Sequence, residues 1–74
     1  MIEAILANAK ARAAWDAIAR DRWPMYVPVA GRIAQLKEPT PEGIAYELAL
    51  EFGGKVTGYM ALAAQIQRAM ESAS

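Results

Sequence analysis

The stretch Thr40-Pro41-Glu42-Gly43-Ile44-Ala45-Tyr46-Glu47-Leu48-Ala49-Leu50-Glu51-Phe52-Gly53-Gly54 carries its own start and stop signals. Thr40 has a side-chain oxygen that can accept from the free N–H groups of a first helical turn. Pro41 suits the first helical position, where its missing N–H costs nothing, and Glu42 sits where the helix dipole favours an anion. Ile44, Leu48 and Phe52 recur every four residues and share one face. Gly53-Gly54 then makes a break or hinge. These signals predict a helix over 41–52 with one apolar side, and they set the fold class.

Working outward, Pro39 ends a shorter helix that Pro28 opens and that reaches about Lys37, with Val29, Ile33 and Leu36 inward. Beyond the glycines, a fourth helix from Lys55 to about Glu71 carries Val56, Tyr59, Met60, Ala63, Ile66 and Met70 at three- and four-residue spacing. Gly54 and Gly58, four apart, offer a weak signal for close backbone approach.

The first helix reads from Ile2 to about Arg20, because Ala, Leu, Lys and Arg dominate and neither Gly nor Pro interrupts. It carries two apolar stripes on nearly opposite sides. One holds Ile2, Ile5, Leu6, Ala9 and Ala13; the other holds Ala7, Ala11, Ala14, Trp15 and Ile18. Asp16 and Arg20 have the favourable i,i+4 orientation. A helix striped on both sides predicts neighbours on both sides, one of them a second molecule. Between this helix and the next, Trp23-Pro24-Met25-Tyr26-Val27-Pro28 forms a Pro-rich connector, too apolar for a solvated loop. The expected fold is a compact all-α domain of three or four helices over residues 1–74, with the first and fourth helices longest.

Seventy-four residues without a Cys or a His have neither disulfide nor zinc to staple a small core. Such chains often gain stability from a partner subunit, so a homo-oligomer through the first helix is expected. Eight basic residues balance eight acidic ones, leaving no net field to draw nucleic acid or membrane. The balance is uneven along the chain. Residues 1–37 hold an excess of three positive charges and residues 38–74 an excess of three negative ones, which predicts attraction between the two halves, head-to-tail association between copies, or a basic face for an acidic partner. The longest uncharged run, Val56–Gln67, falls short of the roughly 20 residues that span a bilayer. The N-terminal residues lack the basic region and long apolar core of a secretory signal, so a cytoplasmic protein is expected.

The composition removes much chemistry. Without His or Cys, no Ser-His or Cys-His nucleophile can form, and the usual zinc and haem ligands are missing. Glu47 and Glu51 share a helix face and could hold a hard cation, but a solvated charged face explains them better. Gly53-Gly54-Lys55 is only a fragment of a phosphate-loop spacing and follows no strand. No catalytic, cofactor or metal residue is expected. Trp15 reads as core, and Tyr46 and Tyr59 as core or interface with hydroxyls at a wet edge.

Arg20, Arg22, Trp23 and Tyr26 form the cluster best suited to binding. Arg beside aromatic rings can grip a protein hot spot, or stack on bases and hold phosphates. The sequence therefore predicts a small non-enzymatic helical protein that binds another macromolecule. An adaptor, a structural subunit, or an inhibitor of the kind encoded in short bacterial or phage reading frames all fit. The second expectation is a nucleotide-like small-ligand binder with a pocket between subunits or helices. Nucleic acid is disfavoured by neutral charge and by Asp16 and Asp21 among the basic residues. Within the cluster, Trp23 is expected to be the binding aromatic and Trp15 the structural one.

Overall fold

Four α-helices and one 3₁₀ turn make up most of the computed structural model, which describes residues 7–21 and 28–73. They are α1 (Ala9–Asp21), α2 (Pro28–Ala34), α3 (Pro41–Phe52), the 3₁₀ turn Val56–Tyr59, and α4 (Met60–Ala73). The all-α class expected from the sequence is the class observed, and α1 and α4 are the longest of these helices. The connector at 22–27 lies outside the described residues.

The local signals at α3 act as read. Thr40 has extended backbone angles, its Oγ1 accepts from the Gly43 N–H at 3.1 Å, and its carbonyl accepts from the Ile44 N–H at 3.0 Å. Pro41 is the first helical residue. At the far end Gly53 and Gly54 take φ of 82° and 96°, a left-handed region that favours glycine. The Gly53 N–H closes the last turn on the Ala49 carbonyl at 2.8 Å. The break is pinned from outside as well, because the Tyr59 hydroxyl donates to the Gly53 carbonyl.

Three boundaries differ from expectation. The first helix does not run unbroken from Ile2, for Asn8 caps α1. Its Oδ1 accepts from the Ala11 N–H at 3.0 Å and its carbonyl from the Arg12 N–H at 2.9 Å. Helix α2 stops at Ala34, short of Lys37, because the chain tightens into i to i+3 bonds. Gln35 donates to Arg32 and Leu36 to Ile33 at 3.1 and 3.2 Å. The fourth helix begins at Met60, five residues late. Val56, Thr57 and Gly58 are poor formers of a first α turn, and they make the 3₁₀ turn instead, with Gly58 donating to Lys55 at 3.0 Å. A Cβ on Gly58 would meet nothing within 4 Å, so no backbone approaches it closely among the described residues.

One core joins these elements. Ala14, Ala17 and Ile18 of α1 meet Val29, Ala30 and Ile33 of α2, Ile44, Ala45 and Leu48 of α3, and Leu62, Ala63, Ile66 and Met70 of α4. Helix α1 packs mainly on α4 and α2, whereas α3 packs on α4 and the 3₁₀ turn. Of the two stripes read on the first helix, the buried one is Ala11, Ala14 and Ile18, joined by Ala17, with half-buried Trp15 at its edge. In the other stripe Ala9 is exposed and Ala13 half-buried, while Ile2, Ile5 and Leu6 lie outside the described residues.

Candidate functional site

The cluster singled out from the sequence is divided by the limits of the structure. Arg20 lies in the last turn of α1, with its side chain outside the described residues. Arg22, Trp23 and Tyr26 lie outside them altogether. Within the described residues Asp16 has a partner on its N-terminal side, where Arg12 Nε approaches its Oδ1 at 3.6 Å. The Arg12 guanidinium also lies over the Trp15 ring, 5.7 Å from its centre. Trp15 packs against the core, and its buried indole N–H has no hydrogen-bond partner among the described residues. That geometry suits the structural role expected of it.

A different surface emerges on α3. Its inner side buries Ile44, Ala45 and Leu48 completely. A rotation of 100° per residue then turns Glu42, Tyr46 and Leu50 outward. Tyr46 is 54% exposed and Leu50 63% exposed, large apolar side chains in open solvent on consecutive turns of one helix. The sequence reading places Tyr46 in the core or at an interface and does not name Leu50. The signal was available, since both stand opposite Ile44 and Leu48 on a helical projection.

Beside this face, Arg32 of α2 reaches across to α3. Its Nη2 meets Glu51 Oε1 at 2.5 Å and its Nε meets Glu47 Oε1 at 3.3 Å. The Glu51 hydrogen bond is the chief cause that raises the Arg32 pKa above its ordinary value, aided by Glu47 and opposed by desolvation. The bridge therefore favours the charged form of the guanidinium. The two carboxylates considered for a cation are thus bridged by an arginine. Among the described residues no cluster of three or more His, Cys, Asp or Glu side chains could hold a metal ion. Arg32 belongs to the basic half of the chain and both carboxylates to the acidic half, so the expected attraction between halves takes concrete form here. With Arg32 nearly half exposed, solvent screening limits the bridge to about 1 kcal/mol or less.

Between α1 and α4 runs an open groove of about 330 Å³, lined by Ala13, Ala17 and Ala69 with Asp16, Gln65 and Arg68 at its rim. It presents opposite charges over an alanine floor and no aromatic ring. Trp15 is not among the described residues that line it.

No protein-family model matches this chain, and no curated protein or solved structure is detectably similar to it.

Proposed function

We propose that this chain acts by binding another protein, as a small helical adaptor, subunit or inhibitor, and that it carries out no catalysis of its own. The observation that supports this reading is the outer face of α3, where Tyr46 and Leu50 stand exposed over a fully packed inner face. Covering these two apolar groups would release burial energy that a protein contact on this face could use. The Arg20, Arg22, Trp23 and Tyr26 cluster is the second contact region in this reading, and it rests on the sequence alone. The cytoplasm is the compartment we assign, on the sequence grounds given above. Among the described residues no helix is long and apolar enough to cross a membrane.

The test is affinity capture from a bacterial lysate with the unaltered chain and with Leu50→Glu, after circular dichroism shows equal helicity. A protein retained by the first and lost by the second is the expected result. An identical set of captured proteins removes α3 as the contact surface. The same comparison with Trp23→Ala tests the connector cluster.

A further inference from the structure

Beyond the contact function above, we infer that the Gly53-Gly54 break is the hinge of a domain exchange, through which two copies of this chain trade the segment 56–73. Only Gly53, Gly54 and Lys55 join α3 to the 3₁₀ turn. Both glycines take left-handed φ, 82° and 96°, and the chain there turns back onto its own core. Lys55 is already extended, with φ −94° and ψ 143°. Glycine passes between left-handed and extended angles at no steric cost, so the same three residues serve a folded-back chain and an opened one.

An opened segment must dock elsewhere. It carries Tyr59, Leu62, Ala63, Ile66 and Met70, all buried, and that face has no stable place in water. The seat that fits it is the α1 and α3 surface of a second copy, which offers the contacts α4 makes within its own chain. What the exchange gives up is local. The Tyr59 hydroxyl donates to the Gly53 carbonyl, which lies inside the stretch that changes direction, so this hydrogen bond latches the closed form. The latch and the high effective concentration of a tethered segment both favour closure. The closed monomer therefore prevails in dilute solution, and exchange requires refolding at high concentration.

The glycines permit a clean test, because nothing crowds them. Among the described residues a Cβ on Gly53 would meet nothing within 4 Å, and one on Gly54 would sit 3.6 Å from the Tyr59 hydroxyl, an ordinary contact. An L-alanine at position 53 is thus opposed by its φ alone, and only in the closed form. Each chain is refolded from denaturant over a range of concentrations, diluted, and sized by sedimentation velocity. The unaltered chain stays near 8.0 kDa except for a dimer fraction from concentrated refolding. Gly53→Ala raises the dimerisation constant about a hundredfold and Tyr59→Phe about thirtyfold, because each dimer relieves two hinges or frees two latches. The dimer keeps the helicity of the monomer and survives dilution until the fold itself melts. A D-alanine at position 53 of the chemically synthesised chain suits the positive φ and removes the dimer. A Gly53→Ala or Tyr59→Phe chain that folds yet stays monomeric overturns the exchange. So does a dimer that falls apart on dilution, the mark of a surface contact. Should Gly53→Ala fail to fold, the other two chains decide: more dimer with Tyr59→Phe than with D-alanine supports the hinge, and equal fractions overturn it.

Discussion

Helices α1 and α3 border the same core but use opposite materials. Helix α1 sends in mostly Ala11, Ala14 and Ala17 beside Ile18, while α3 sends in Ile44 and Leu48 beside Ala45. Outward, α1 shows the Arg12 and Asp16 pair, and α3 shows Tyr46 and Leu50. Small inward residues let α1 lie close along α4 and α2, and charges complete its outer side in water. Helix α3 is anchored by large aliphatic groups and still has large apolar groups to spare. Among the described residues, large exposed apolar side chains stand on α3 and not on α1.

The comparison breaks most visibly at two leucines two residues apart. Leu48→Ala should cost about 3 kcal/mol through lost burial and a residual cavity. In a chain of this size each kcal/mol moves the melting temperature by about 4–8 °C. Leu50→Ala should change stability by less than about 0.5 kcal/mol. Equal losses in thermal melts would mean that the two faces of α3 do not differ as described. On α1 the informative change goes the other way. Ala14 is fully buried, and Ala14→Leu should overpack the core at a cost of about 2 kcal/mol. Ala9→Leu, at an exposed position, should be close to neutral by the same denaturant titration. Tolerance of Leu at position 14 would show that close packing is not what the alanines are for.

Smaller effects sharpen the account of how α3 is held. Thr40→Ala removes the cap on the Gly43 N–H and should cost about 1 kcal/mol, with Thr40→Asn or Thr40→Ser largely restoring it. Arg32→Ala should cost at most about 1 kcal/mol, and high salt should erase the difference. The pH dependence has a definite sign. A base whose pKa is raised on folding contributes stability in full below its unfolded value and loses it only above its folded value. For Arg32 that window lies beyond ordinary alkaline conditions, so raising the pH from neutral to moderately alkaline should leave its contribution intact. A loss in that range that Arg32→Ala abolishes would contradict the bridge.

What the sequence made legible was local chemistry. The Thr40 cap, the Pro41 start and the Gly53-Gly54 stop are each fixed by groups within a few residues, and each operates as read. The inward positions of α2, α3 and α4 followed from periodicity, although Phe52, Leu36, Val56 and Met60 are only partly buried. Asn8 was passed over because alanines on both sides disguise a cap as helix interior. The bridge from Arg32 was not legible, since nothing in residues 28–37 specifies that α2 lies beside the Glu47 and Glu51 side of α3. The outer face of α3 is also legible, since Tyr46 and Leu50 lie opposite Ile44 and Leu48 at 100° per residue. The Arg20, Arg22, Trp23 and Tyr26 cluster gains no geometry from the described residues.

The seating of α1 on α4 has a kinetic consequence. Helix α3, the glycine break and α4 are neighbours along the chain, and Tyr59 ties them together across only six residues. Their contacts can form while the rest of the chain is still searching. The α1 contact with α4, by contrast, must close over residues 22–59, and the entropy of that closure comes before any reward. Folding should therefore begin at the C-terminal hairpin and finish when α1 docks. Substitutions on the buried side of α1 should then speed unfolding far more than they slow refolding.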